Sequence, residues 1–484
     1  MKISWKTVLP LIVWLVVVLI PTPAGLQPNA WAFFAVFAAV ITGMIFDSMA
    51  PGALGLIGVA FAVAMRYVNA DVTQSINWGL SGFSDTTVWL IFGAFTFAIG
   101  YSKSGLGRRI ALFFVKLLGG RTLGLGYAIE LADLVLAPGT PSNTARSAGT
   151  IFPVIRNIPA LYGSEANSPT ARKIGSYIMW TAFAATGVTS SMFITALAPN
   201  AAALTLVKTA TKLDINWMQW FLGFLPVAIV LLVLVPLLVY VIYPPEIKTS
   251  KEIPEWASSE LAKMGPLSRN EIKMIVLVLF AIFLWVTGSN SLISLPYLGT
   301  NYINATSVVL VAIALMLVTQ VVDFQDIISN KAAWEVFLYF ATLLTLAAGL
   351  NTVGFIKWFA DLVSAPLKGL DPILILAVLV ALFFWIHYFF TSLTAHTTAV
   401  LPVVLAVGVK LLPPNLLMPF SLLCVYSLGI MGVISPYATG PAPIYYGSGF
   451  VSRSDFWKLG LIFGLIFFFA LLLIGIPYLT AVKL

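Results

Sequence analysis

The chain has 484 residues, of which 60% are hydrophobic and only 9% are charged. Soluble domains carry about 25% charged residues, so this composition excludes an ordinary water-soluble protein. The net charge of +8 does not indicate a nucleic-acid partner, because Lys and Arg collect between the apolar segments, where cytoplasmic loops are basic. We therefore predict an integral protein of the lipid bilayer.

Eleven apolar segments are long enough to cross the hydrocarbon core as helices. Helices satisfy every backbone polar group internally, which lipid demands. The sequence therefore predicts an all-α polytopic membrane protein. The expected spans are 8–21, 30–46, 52–67, 86–101, 174–196, 217–243, 274–289, 304–321, 335–350, 417–434 and 457–480.

The first apolar run, Leu9–Ile20, follows Lys2 and Lys6 and also resembles a signal peptide. We interpret it as the first span, with its N-terminus in the cytoplasm. The segment Lys103–Arg121 is then cytoplasmic and carries five basic and no acidic residues. The outer loop 290–303 is uncharged, and the C-terminus is expected outside the cell.

Two further apolar regions, at about 123–155 and 371–412, are interrupted by polar residues near their middle. The interruptions are 137–144 and 391–398. Each pattern predicts a re-entrant hairpin of two half-helices, because irregular backbone at membrane depth has to be buried in protein or to line a cavity. Arg146 and Arg156 flank the exit of the first hairpin, where we interpret them as topology-setting residues rather than anion-attracting ones.

The order of these features repeats. Each half contains a Gly-x4-Gly element, a hairpin that ends in threonine, and a span broken by Thr and Pro. We expect a first helix (1–29), an N-terminal repeat (30–243), a cytoplasmic linker (244–273) and a C-terminal repeat (274–484). The order favours an inverted repeat with a site at mid-membrane; the alternative is a kinked bundle without symmetry.

The first hairpin carries Ser142-Asn143-Thr144 at its interruption. No spanning segment offers a convincing pair of buried cations, so we expect the N-termini of half-helices to bind an anion through their free N–H groups and dipole. The same residue types also serve as simple helix caps. Placement between two apolar half-runs, mirrored by Thr394–Thr397, favours the binding role.

These motifs resemble the divalent anion/sodium symporter family, and in particular its bacterial citrate/succinate and tartrate/succinate exchangers. The most specific stretches are PSNTARSAG, SNKAAW and SPYATGPAPIYYGSG, and the similarity extends over nearly the whole chain. The resemblance implies eleven spans, two re-entrant hairpins, a homodimer, and a transport domain that moves like an elevator against a scaffold. It also implies a substrate that is a small organic dianion or trianion. The substrate-binding residues that follow are Ser142, Asn143, Thr144, Ala395, His396, Thr397, Thr439 and Gly440.

The chain departs from the family pattern at both expected sodium sites. The second Ser-Asn-Thr reads Ala395-His396-Thr397, the first Gly-Ser/Thr-Pro-Pro-Asn break reads Ala196–Asn200, and Pro138 replaces a serine. Because sodium needs several oxygen ligands, we predict sodium-independent antiport of dicarboxylates or tricarboxylates; the alternative is a sodium-coupled symporter. His396 either donates to a substrate carboxylate or satisfies a backbone carbonyl, and His387 is interpreted as structural.

One cysteine, Cys424, and two histidines leave too few ligands for a disulfide framework, a metal centre or most cofactors. Paired catalytic carboxylates, a nucleotide loop and a nucleophile–base pair are also missing from the sequence. We therefore expect no catalytic residues, no cofactor and no enzyme activity. A channel is the remaining alternative, and it would differ from a carrier in showing flux that does not saturate with substrate.

Overall fold

The computed structural model describes residues 5–288, 298 and 302–482. These residues form helices joined by short turns, and the β-structure among them is one isolated bridge between Arg121 and Thr249. Nine helical segments of the described chain are long and apolar enough to cross a membrane, and three shorter apolar helices accompany them. The predicted all-α polytopic fold is confirmed. The predicted outer loop 290–303 lies largely outside the described residues.

Each of the eleven predicted spans coincides with a helix. In the first half of the chain the helices are α1 (Trp5–Leu19), α2 (Pro28–Ile45), α3 (Pro51–Ala64), α4 (Val72–Leu80), α5 (Thr86–Ser104), α6 (Leu106–Leu118), α7 (Thr122–Leu136), α8 (Phe152–Ile155), α9 (Gly175–Met192), α10 (Ala198–Thr211) and α11 (Trp217–Ile242). In the second half they are α12 (Glu252–Met264), α13 (Arg269–Thr287), α14 (Ala305–Val318), α15 (Phe324–Ser329), α16 (Lys331–Thr352), α17 (Phe355–Ser364), α18 (Pro372–Trp385), α19 (Leu393–Leu411), α20 (Pro414–Ile430), α21 (Ala442–Gly447), α22 (Arg453–Ala470) and α23 (Ile476–Ala481).

The chain divides into two compact units, and each unit combines segments from both halves of the sequence. The first unit consists of residues 1–92, 201–215 and 330–424, and the second of residues 93–200, 216–329 and 425–484. The two sequence repeats and the linker at 244–273 stay predictions about the sequence; within that linker, residues Glu252–Met264 form the helix α12.

The first unit is built on close helix packing. Its α1 packs on α2, α3 packs on α16, and α17 and α18 pack on α19. Gly82 shows how closely the segments approach, because a Cβ there would lie 1.9 Å from the carbonyl oxygen of Ala341. The N–H of Gly82 also donates to the hydroxyl of Thr345 at 3.0 Å. A side chain at position 82 would therefore push the 3-10 turn that follows α4 away from α16.

The second unit surrounds a helix that is buried on every side. All residues of α9 are buried, and α7 and α11 pack against it. A fully enclosed helix has no need of a polar face, which is why α9 is not amphipathic. The basic segment after α5 is paired with acidic residues of the same unit: Lys103 contacts Asp326 at 2.5 Å and Arg109 contacts Glu271 at 2.5 Å. The hydrogen bond from Lys103 lowers the pKa of Asp326.

The two Gly-x4-Gly elements adopt the same local structure. Gly105 has φ of +80° and Gly354 has φ of +81°, and each is the N-cap of a short helix, α6 or α17. Backbone with φ in this range strains residues that carry a Cβ. The order that follows, an interrupted helix pair and then a broken helix, is also the same in both halves. The inverted orientation of the repeat stays a prediction.

Candidate anion-binding site

The first interrupted region consists of α7, a 3-10 turn at Ala137–Gly139, the connecting residues 140–143, a π-helix at Thr144–Ile151 and α8. Pro138 and Pro141 account for the break, because proline cannot donate to the preceding turn. The carbonyl of Pro141 accepts a hydrogen bond from the N–H of Ala198 at 2.8 Å, which anchors the break within the second unit. π-helices are rare in proteins, and those that occur are often at functional sites.

The polar break of the first region contacts the segment 435–441. The side-chain amide of Asn143 donates to the hydroxyl of Thr439 at 2.8 Å, and these residues are 5% and 4% exposed. Gly440 lies against Thr144 so closely that a Cβ at position 440 would be 1.9 Å from the Thr144 hydroxyl oxygen. The structure therefore brings four of the predicted site residues together within one compact unit.

The same cluster offers hydrogen-bond donors at its surface. Ser142 and Thr144 are half-buried, and Gly440 is exposed. The hydroxyl of Ser142 accepts from the N–H of Ala145 at 3.2 Å, so it caps the helical turn that begins here. The first N–H groups of a helix lack partners within that helix and carry a partial positive charge. The cluster is therefore chemically suited to a carboxylate.

Arg146 is the principal correction to the sequence analysis. It was interpreted as a topology-setting residue at the hairpin's exit, yet its side chain is fully buried. Its Nε donates to Asp133 at 3.0 Å, and its Nη1 donates to the carbonyl oxygens of Thr140 and Ala196, each at 2.9 Å. Arg156, the other flanking arginine, is exposed as expected of a loop residue.

The remaining donors of Arg146 meet hydroxyl groups of the buried α9. Nη2 lies 2.8 Å from the Ser190 hydroxyl and 3.3 Å from that of Thr189. Thr189 in turn donates to Asp133. Protein oxygens thus use all the donor atoms of this guanidinium, so Arg146 does not reach out to a ligand itself. These protein oxygens form a cage around the fixed positive charge of Arg146.

Two oxygens close to this cage have no hydrogen-bond partner. They are Oδ1 of Asp133 and Oδ1 of Asn200, both buried. The amide nitrogen of Asn200 donates to the carbonyls of Ser190 and Phe193 at 2.7 and 3.0 Å, which holds the broken end of α9. A sequence signal for this arrangement existed: Asp133 and Arg146 are opposite charges inside one apolar region, and lipid favours their pairing.

The second interrupted region lies in the first unit and begins its second helix earlier than expected. The sequence analysis placed the break at 391–398, but α19 already starts at Leu393 because Ser392 caps it by accepting from the N–H of Ala395 at 3.3 Å. Ala395, His396 and Thr397 therefore occupy the first helical turns. The Thr397 hydroxyl donates to the Leu393 carbonyl at 2.7 Å.

The imidazole of His396 is enclosed by aromatic rings. Its centroid lies 4.5 Å from that of Phe383, 5.0 Å from that of Phe390 and 4.9 Å from that of His387. The side chain is fully buried, and neither ring nitrogen meets hydrogen-bond geometry with a protein atom. The carbonyl of Phe383 approaches the ring without meeting that geometry. Both roles considered for His396, donation to a substrate carboxylate and contact with a backbone carbonyl, stay predictions.

In the described part of the chain, no three His, Cys, Asp or Glu residues group together. Cys424 is buried and unpaired. The chemistry available to the two clusters is hydrogen bonding from helix N-termini, hydroxyls and one carboxamide. Groups of these types are chemically suited to hydrogen bonds with an anion.

Comparison with known proteins agrees with this chemistry. The chain matches the family described as the sodium:sulfate symporter transmembrane region over residues 1–483. It is 48% identical over 488 residues to the citrate/succinate antiporter of Escherichia coli (strain K12), with 98% of each chain covered. It is 43% identical over 493 residues to the L-tartrate/succinate antiporter of Shigella sonnei (strain Ss046), with 99% of each covered.

A solved structure shares the fold. The YdaH transporter of Alcanivorax borkumensis superposes with a TM-score of 0.56 at 15% identity, covering 88% of this chain and 98% of that one. At this identity the likeness shows the fold alone. The family match over nearly the full length, together with relatives at 43% and 48% identity, leads to one conclusion: the chain belongs to the sodium:sulfate symporter family, the divalent anion/sodium symporters.

Proposed function

We propose that this protein exchanges small dicarboxylate and tricarboxylate anions across the membrane by sodium-independent antiport. Its relatives named citrate/succinate and L-tartrate/succinate antiporters match it over almost their entire length. Citrate, succinate and tartrate share two or more carboxylates on a short carbon skeleton, and so do malate and 2-oxoglutarate. We propose these anions as the substrate class. The proposed function is transport and not catalysis.

The cluster around Asn143 supports recognition of one carboxylate. A carboxylate is costly to remove from water unless donors replace its hydration. The Asn143 amide has a second N–H beyond the one given to Thr439, and Thr439 keeps its own hydroxyl proton because it accepts in that contact. Together with the half-buried Ser142 and Thr144, these groups surround the start of a helical turn. Gly440 lets its segment approach Thr144 closely, since a Cβ at position 440 would lie 1.9 Å from the Thr144 hydroxyl oxygen.

We propose that the N-terminus of α19, taken within the first unit, also suits a carboxylate. Ala395 and His396 donate their own N–H groups to the hydroxyl and the carbonyl of Ser392, at 3.3 and 3.0 Å. The N–H groups of Leu393 and Thr394, at the start of the helix, have no acceptor within it. The Thr397 hydroxyl proton is already given to Leu393. The His396 ring is surrounded by aromatic residues. We therefore assign recognition here to the backbone rather than to the imidazole or the hydroxyl.

The single observation that carries sodium independence is the buried Arg146. Its guanidinium is surrounded by two carbonyl oxygens, a carboxylate and hydroxyl groups. Hard cations such as sodium prefer oxygen ligands of these types. In this chain the positive charge is covalently attached, so it does not depend on a sodium gradient. An outgoing anion then supplies the driving force for the incoming one.

Sodium-coupled symport is the second candidate, and one observation favours it. The unpartnered Oδ1 atoms of Asp133 and Asn200 are oxygens that a small cation would accept as ligands.

A homodimer, elevator-like movement, a cytoplasmic N-terminus and an extracellular C-terminus belong to the proposal as well. The orientation of the termini is supported by the segment 103–121, which carries five basic and no acidic residues. The homodimer and the movement rest on the resemblance to the family.

Counterflow into proteoliposomes tests the proposal. Vesicles preloaded with succinate should take up labelled citrate at the same rate in sodium and in choline buffer. Empty vesicles should take up no labelled citrate in either buffer. Uptake into empty vesicles that requires an inward sodium gradient would replace antiport with symport. Uptake that rises linearly with concentration and never saturates would indicate a channel.

A further inference from the structure

A cavity of about 290 Å³ lies in the first unit, away from both clusters described above. Its wall combines the first part of α1, the end of α2, the turn after α2 and the helix α3. Residues such as Leu11, Ala39, Ile57 and Gly58 make the lining almost entirely apolar. Leu11 and Ile57 are 65% and 55% exposed, so the cavity opens to the surroundings of the protein.

Two hydrogen-bonding atoms on this wall have no partner. They are the indole Nε1 of Trp14 and the hydroxyl of Ser48, and both atoms are buried. Indole is a donor only, so it requires an acceptor. A buried donor without an acceptor loses the hydrogen bond that water would give it, so it favours an occupant that supplies an acceptor. Hydrocarbon fills the apolar space but offers no acceptor. Water needs two to four polar partners, and apart from Trp14 and Ser48 the side chains that line the cavity add only the hydroxyl of Thr7, with the rest of the lining apolar.

The position of the cavity further restricts the kind of molecule that can occupy it. Ser48 belongs to the turn that joins α2 to α3, where the chain leaves one membrane-spanning helix and starts the next. Trp14 lies in the middle of α1, and Phe61 packs edge-on against it at 5.7 Å between ring centroids. The cavity therefore extends from a helix-connecting turn inward along apolar helices. Ester carbonyls of phospholipids occupy this boundary, with their acyl chains directed inward.

We propose that this cavity binds one phospholipid, whose acyl chain fills the apolar space and whose ester carbonyl oxygens accept hydrogen bonds from Trp14 and Ser48. The chemistry required is an apolar chain with an acceptor oxygen at its head, which a diacyl phospholipid supplies. The site rests on the membrane embedding of the chain and not on the transport activity. A second copy of this chain would offer apolar side chains, but few free acceptors.

The test uses full-length protein purified in detergent and native mass spectrometry with two probes, diester and diether phosphatidylglycerol of equal chain length. The wild-type protein should retain one lipid per chain and prefer the ester by roughly tenfold, since two hydrogen bonds are at stake. Trp14→Phe with Ser48→Ala should abolish that preference. Trp5→Phe, on the same helix but outside the cavity wall, is the matched control.

Filling the cavity gives an independent result. Ala39→Phe adds bulk to the wall without altering either donor, and it should abolish retention of both probes. Equal binding of ester and ether lipid by the wild type would overturn the proposal, as would full retention in Ala39→Phe. A change in oligomeric state in Ala39→Phe without a change in bound lipid would show instead that this face meets a second copy of the chain.

Discussion

The Asn143 carboxamide and the Thr439 hydroxyl lie 2.8 Å apart although 296 residues separate them in the chain. Both side chains are almost completely buried. The contact joins the polar break of the first interrupted region to the break between α20 and α21. Both segments interrupt a run of helix at this point, so each depends on the other for its geometry.

Replacement of Asn143 should therefore impair transport without unfolding the protein. Asn143→Ala removes the donor to Thr439 and the second amide N–H, and we expect counterflow to fall by tenfold or more. The lost buried hydrogen bond costs about 1–3 kcal/mol of stability. Uptake by succinate-loaded proteoliposomes and thermal unfolding should be measured together. Asn157→Ala is the control, because Asn157 is exposed and donates only to the Pro153 carbonyl; equal uptake by the two variants would remove Asn143 from the site.

Gly440 should tolerate no side chain. A Cβ at this position would lie 1.9 Å from the Thr144 hydroxyl oxygen, so Gly440→Ala must displace Thr144, and we expect uptake to be lost. The double variant Gly440→Ala with Thr144→Ala should recover thermal stability because the hydroxyl is gone, but it should not recover transport. Gly447→Ala serves as control, since nothing lies within 4 Å of a Cβ there. Wild-type uptake by Gly440→Ala would contradict the geometry.

Arg146 should be required both for stability and for indifference to sodium. Arg146→Ala leaves Asp133 buried without its cation, at a cost of roughly 3–5 kcal/mol. It also leaves an empty cage of oxygens. We expect sodium chloride, but not choline chloride, to raise the unfolding temperature of this variant and to have no such effect on the wild type.

The exposed Arg156→Ala is the matched control for that experiment, and it should behave as the wild type does. Arg146→Lys keeps the charge but loses the fork of donors, so it should be intermediate in stability. A sodium-dependent shift in the wild type would support the symport alternative and count against the fixed-charge argument.

His396 should be replaceable by an apolar ring more readily than by asparagine. Its imidazole packs among Phe383, Phe390 and His387 with no hydrogen bond at either nitrogen. His396→Phe should keep near-wild-type stability and uptake. His396→Asn restores the usual family residue but buries a carboxamide, at a cost of about 1–3 kcal/mol, and we expect no gain of sodium dependence. Loss of uptake in a well-folded His396→Phe variant would return the imidazole to the binding site.

Sequence reasoning succeeded where local chemistry decides the outcome. Apolar length predicted the helices, and proline and polar residues predicted the interruptions. The two glycines at 105 and 354 were recognised from their spacing, and both have the positive φ that glycine permits. The start of α19 was predicted less well. The helix already begins at Leu393, because Ser392 caps it, and it includes polar residues that we expected to lie in the break.

The fold class follows from the sequence by itself, whereas the environment of Arg146 does not. Composition and periodicity established a helical membrane protein with two interrupted regions, since lipid imposes that solution on any such chain. They did not reveal whether an arginine near a helix end reaches toward water or is buried. That outcome depends on where the Asp133 carboxylate, two carbonyls and the hydroxyls of α9 come together, and only the tertiary structure brings these distant oxygens around one guanidinium.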